Sequence, residues 1–147
     1  MNGPSPNLSW SELACHDGTP YPEEWRSTRL VLLAGLFEDF RLVMGDRPLI
    51  IGSAYRTPKW NRRYGGAIKS QHLEGCALDI RRPSKQEVQK FCQKAKAFAN
   101  NDERVGGLGW YSWGVHIDIR PRKNNRLAYW NRIRPGTRLH DSDIRNA

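Results

Sequence analysis

Between residues 27 and 44, apolar side chains recur at steps of three and four: Leu30, Leu33, Phe37, Phe40 and Met44. That period puts them on one helical face, and Gly45 supplies a stop, so the spacing predicts a helix over Ser27–Met44. The pattern then changes. Pro48–Ser53 and Ala77–Ile80 are short apolar runs that read as buried strands. Thr57–Tyr64 holds one helical turn before Gly65–Gly66 breaks it. Ser84 with Glu87 three residues later forms a capping-box signature. The helix it opens runs to about Asn100, with Val88, Phe91, Cys92, Ala95 and Phe98 inward. Val105–Trp110 and Val115–Ile119 read as a hairpin around Tyr111–Gly114. Alternation in its second strand sends Val115, Ile117 and Ile119 to the core and turns His116 and Asp118 to the other face. This order predicts an α+β fold, with a small antiparallel sheet and helices packed on one face.

The ends read differently. Residues 1–25 are rich in Pro, Gly, Ser and Asn, with Trp10 and Trp25 as anchors, and are expected to form a packed N-terminal arm. Ser11, Glu12 and Leu13 start a short helical turn within it. Beyond Arg120 the chain is polar and basic, with Tyr129 and Trp130 as docking points and 131–147 as a basic C-terminal tail. At 147 residues, a single domain over 1–147 is expected, large enough for a core of its own. Monomer is the default expectation.

Composition narrows the function. Three cysteines without a CxxC pair argue for free thiols and against a cysteine zinc site. The longest apolar stretch, Leu30–Leu36, is too short to span a membrane, so no membrane span is expected. No basic-then-apolar leader precedes the first elements. The expectation is synthesis in the cytoplasm without a signal peptide. Lys and Arg total 24 against 15 Asp and Glu, a net charge of +9 that favours a polyanionic partner. Nucleic acid and an anionic cell-wall polymer both satisfy that charge, but no nucleic-acid motif is present.

Imidazole and carboxylate are good zinc ligands, and three protein ligands plus water define a catalytic zinc site. His72, Asp79 and His116 would supply such a set, and Asp79 sits in a strand-like run where a polar group needs a reason. The surrounding pattern supplies one. Ser70-x-His72-x-x-Gly75-x-Ala77-x-Asp79 resembles the SxHxxGxAxD signature of the zinc D-alanyl-D-alanine peptidases, the M15 family. The likeness extends upstream through Leu8–Leu13, Asp17–Thr19, Ser53–Pro58, Asn61 and Gly65–Gly66. Downstream it covers Gly106–Gly109, Tyr111 and Val115–Asp118, so that it spans roughly residues 7–130.

The resemblance implies a hedgehog/DD-peptidase-like arrangement and zinc-dependent hydrolysis of peptide bonds in peptidoglycan stem or cross-link peptides. One zinc ion would be held by His72, Asp79 and His116. Arg56 takes on contact with the substrate carboxylate or the oxyanion. Ser70 becomes a hydroxyl that supports a ligand or binds substrate. Tyr111, with Trp60, Trp110 and Trp113, is a candidate cleft wall, and Gly65–Gly66 and Gly106–Gly107 are candidates for close approach of the substrate backbone. Many members carry Glu or Asp three residues before the last zinc His; here that position is Trp113, which accepts no proton. The His-x-Asp ending places the chain nearer a subgroup with that feature. It makes Asp118 the candidate base, or the carboxylate that orients a ligand, or itself a ligand, with Glu74 as a weaker candidate base. Bacteriophage-induced lysis, with action in the periplasm or cell wall after release, is the expected setting. The alternative is a catalytically silent zinc-containing cell-wall-binding module.

Overall fold

A computed structural model describes residues 2–133 of the chain. The periodic segment forms helix α2 (Arg29–Val43), which buries Leu30, Leu33, Leu36, Phe37 and Phe40. A 3₁₀ turn over Glu23–Ser27 precedes it, so the helix begins two residues later than the periodicity predicts. Helix α4 (Val88–Asn100) buries Phe91, Cys92, Ala95, Phe98 and Ala99. Its start corrects the capping-box reading, because Ser84 lies in a turn and Glu87 is the N-cap. The Glu87 carboxylate accepts from the backbone N–H groups of Gln89 (2.9 Å) and Lys90 (3.0 Å). Free donors and the positive end of the helix dipole both favour an anion there. Phe40 meets Phe91 and Phe98 edge-on, with centroids at 6.2 and 5.5 Å, which joins the two helices.

Two short helices complete the set among the described residues. Helix α1 (Trp10–Leu13) starts one residue before the expected turn and carries a reciprocal capping box between Ser9 and Glu12. Helix α3 (Pro58–Arg63) is capped by Thr57, with Pro58 in the first turn where no intrahelical donor is lost. Leu8, Leu13 and Tyr21 enter the core, and Trp10 and Trp25 pack against it.

Among the described residues five strands form one sheet: β1 (Ile51–Ser53), β2 (Ala77–Arg81), β3 (Gly107–Tyr111), β4 (Gly114–Asp118) and β5 (Ala128–Asn131). Their spatial order is β1-β2-β4-β3-β5. The first four pair antiparallel, as expected. The fifth makes the sheet mixed, since β5 runs parallel to β3. Ala-Tyr-Trp-Asn lacks a β-branched run and is half exposed, so its pattern did not announce an edge strand. The expected basic tail therefore begins inside a strand, and its part beyond Ile133 lies outside the described residues.

Register assigns the two faces. Leu78, Ile80, Leu108, Trp110, Val115 and Ile117 join the core with the buried faces of α2 and α4. On the opposite face one row crosses the sheet: Ser53, Asp79, His116, Gly109 and Trp130. The adjacent row carries Ala77, Asp118, Gly107 and Ala128. No helix among the described residues is long and apolar enough to cross a membrane. Cys15, Cys76 and Cys92 are all free, as expected.

Candidate metal centre

Asp79 and His116 are cross-strand partners on β2 and β4, so the ladder itself brings them together. His72 arrives from a different element, a 3₁₀ turn over Gln71–Glu74. Ser70 caps that turn by accepting the His72 N–H at 3.2 Å, and the Arg56 N–H donates to the His72 carbonyl at 3.0 Å. Gly75 ends the turn at φ 64°, a left-handed conformation natural to glycine. A Cβ there would also meet the Trp25 ring at 2.6 Å.

The three side chains are buried and present one ligand atom each to a common point. His72 Nε2 lies 3.0 Å from Asp79 Oδ1, His116 Nδ1 lies 3.2 Å from the same oxygen, and the two nitrogens are 3.3 Å apart. A tetrahedral zinc with bonds of about 2.0–2.2 Å separates its ligand atoms by about 3.3–3.5 Å. The triangle is therefore within a few tenths of an ångström of the required size.

Hydrogen bonding on the outer side of each ring explains why this triangle wants a cation. His72 Nδ1–H donates to the Ala54 carbonyl, which leaves Nε2 as a lone pair. His116 Nε2–H donates to Asp118 Oδ2 at 2.7 Å, which leaves Nδ1 as a lone pair. Two lone pairs and a carboxylate oxygen then face one another without solvent. Burial pushes His72 below its ordinary pKa. Burial also opposes charge on His116, but hydrogen bonds to Asp118 and Asp79 outweigh it and lift the pKa to about 9. Burial works against a charged Asp79 as well; a proton held between its oxygen and the His72 and His116 rings keeps its carboxyl well below the usual range. In the absence of a metal the centre draws in a proton, and a divalent ion answers the same demand.

The remaining candidates take distinct places. Asp118 stands behind His116, away from the triangle, and is fully buried. Its Oδ1 accepts from the Arg120 backbone N–H at 3.1 Å, and its Oδ2 accepts from Arg120 Nη2 at 2.6 Å. Glu74 lies at the surface, 3.8 Å from Arg29. Arg56 is 1% exposed and its three nitrogens serve the protein: Nε donates to Ser53 Oγ (2.9 Å), Nη1 to Asn61 Oδ1 (3.2 Å) and Nη2 to Asp79 Oδ2 (2.9 Å). It braces the oxygen of Asp79 that faces away from the triangle. Tyr111 stacks on Trp113 at 4.8 Å, and its hydroxyl accepts from Trp130 Nε1 at 2.8 Å. Trp110 and Trp113 are buried, whereas Trp60 is half-buried against Tyr64.

Two glycines correct the expectation of room for substrate. A Cβ on Gly66 would strike Asn61 and Arg56, and one on Gly107 would strike Asp118 and Arg120. Those spaces are filled by the protein's own groups. The sequence pattern assigned no role at the centre to Trp130, read as a docking point, to Arg120, or to the brace of Ser53 and Asn61, which entered only through the family likeness. Trp130 sits against His116, with centroids 5.2 Å apart. The available signal for Trp130 was parity: Gly107 and Gly109 leave β3 bare on the face that β4 fills with His116 and Asp118.

A comparison with known proteins finds a zinc D-Ala-D-Ala carboxypeptidase of Streptomyces albus G, 30% identical over 95 residues. The aligned part is 64% of this chain and 35% of the relative, so the chain spans about a third of that protein's length. The Peptidase M15 family model matches residues 6–118, a stretch that contains all three converging donors. The chain belongs to the Peptidase M15 family.

Proposed function

We propose that this chain is a zinc-dependent peptidase that hydrolyses peptide bonds in peptidoglycan stem or cross-link peptides, with one zinc ion held by His72, Asp79 and His116. The observation that carries this reading is the buried triangle of two imidazole lone pairs and one carboxylate oxygen. The carboxypeptidase relative supports both the metal and the substrate class. Zinc there would supply Lewis acidity, acidifying the attacking water and polarising the carbonyl that it attacks.

The chain's own residues then divide the work. Asp118 fixes the tautomer and plane of His116 and is the orienting carboxylate, because its oxygens are taken up by His116 and Arg120. Arg56 keeps Asp79 charged and aimed. Ser70 sets the turn that presents His72. Tyr111 lines the substrate side on the same sheet face as His116. A net charge of +9 suits an anionic envelope, and lysis of a bacterial host by a phage enzyme is the setting that we propose, with the protein acting as a monomer in the periplasm or cell wall. Trp113, where many members hold an acid, gives a second reading its footing: a zinc-loaded module that binds wall without cutting it.

Purified protein should contain one zinc per chain by elemental analysis and release peptide fragments from purified peptidoglycan, identified by mass spectrometry. His116→Ala should lose both. Zinc at full stoichiometry with no fragments released selects the silent module; absence of zinc sinks both readings.

A further inference from the structure

Strand β5 lies beyond the residues that the family model matches, yet it reaches the centre. Parallel pairing with β3 sets Trp130 opposite Gly109, in the row that contains His116 and Asp79. Gly109 is what admits it, since a Cβ there would collide with the Trp130 indole nitrogen. The indole lies over the bare strand. One side meets the His116 ring at 5.2 Å, and the Arg120 guanidinium stands 5.4 Å from its centroid. Its Nε1–H donates to the Tyr111 hydroxyl at 2.8 Å. Trp113 stacks on the ring of the same tyrosine, with planes 16° apart.

Tyr111 is thus held at both ends, its ring by Trp113 and its oxygen by Trp130. A phenol oxygen that accepts one hydrogen bond keeps one proton to donate. With the Nε1–H fixed on one lone pair, the hydroxyl has lost the freedom to turn its proton toward the indole. Tyr111 stands in β3 on the same sheet face as His116 and Asp79, the face where substrate would meet the metal.

We propose that Trp130 is a positioning residue that fixes the Tyr111 hydroxyl as a donor toward an oxygen of the bound peptide, either its carbonyl or its terminal carboxylate. This rests on the peptidase reading above. It also gives the segment past the family match a task in the site.

The test is a double-mutant cycle with a readout independent of activity. Tyr111→Phe should lower kcat/KM on a peptidoglycan fragment by roughly tenfold or more, as loss of a preorganised donor does. Trp130→Phe keeps the packing against His116 and removes the donor; it should lower kcat/KM by about threefold to tenfold, the scale of one neutral hydrogen bond. The double variant should be no worse than Tyr111→Phe alone. In nitrogen-15 spectra of the protein, with or without zinc, the Trp130 indole N–H resonance should shift in Tyr111→Phe. Near-ultraviolet circular dichroism establishes that each variant is folded. Wild-type rates for Trp130→Phe, losses that multiply in the double variant, or an indole resonance indifferent to Tyr111→Phe each overturn the proposal. A wild-type protein that neither holds zinc nor cuts peptidoglycan defeats the peptidase reading instead, and the indole measurement still reports on the contact.

Discussion

Asp118 is the residue whose position says most about how the centre is tuned. Burial opposes its charge, yet hydrogen bonds from His116 and Arg120 hold its carboxyl well below the usual range, so it stays an acceptor. Replacing it by Asn keeps the shape and weakens the grip on the His116 N–H. Supporting carboxylates of this kind contribute about 10–100-fold to metal affinity. Asp118→Asn should therefore weaken zinc binding by that factor in a competition titration with a chelator, while the fold persists; unchanged affinity would remove Asp118 from the orienting role. The convergence of His72, Asp79 and His116 was legible because their spacing is carried by a local signature and by strand parity. The partners of Arg56 were not. Ser53, Asn61 and Asp79 meet its guanidinium from three separate elements, and only the fold decides which of the many acceptors in the chain lies within reach of a buried arginine.

At the level of elements, the start of α4 shows how one cap wins over another. Ser84 and Glu87 satisfy the spacing of a capping box, but Pro83 through Gln86 turn instead, with Gln86 N–H bonded to the Pro83 carbonyl. Arg82 holds that turn by donating to the carbonyls of Ser84 and Gln86. Glu87 then caps the helix directly. Glu87→Ala should cost about 1 kcal/mol in urea unfolding, and Ser84→Ala less than about 0.5 kcal/mol. The reverse ranking would restore the reading from spacing. Most other elements followed from periodicity, because α2 and α4 bury one face and the apolar residues of β2 and β4 alternate toward the core. Strand β5 was hidden for the opposite reason: it is short and half exposed, and its hydrogen bonds to β3, not its own pattern, make it a strand.

For the whole molecule, the centre ties together distant parts of the chain. The 3₁₀ turn that carries His72, strand β2 and strand β4 must all be docked before three donors can converge. A metal that binds only this assembled state adds to stability by mass action, about 2.7 kcal/mol when free zinc is 100 times the dissociation constant. For a chain of this size that corresponds to a rise of roughly 5–10 °C in Tm. Differential scanning calorimetry with and without a chelator should show a drop of that size, restored by added zinc. Equal melting temperatures would mean that the ion is not bound by the folded state.

The parallel docking of β5 has a consequence for the order of events during synthesis. Strand β3 is made before β5, and its outer row of backbone groups stays open until residues 128–131 emerge and zip along it. An unpaired edge of this kind invites pairing with another chain. Any product that stops near the end of the family match would leave the five-residue β3 as the sheet edge; with β5 docked, the edge among the described residues is a shorter strand of four, a poorer template for a second chain.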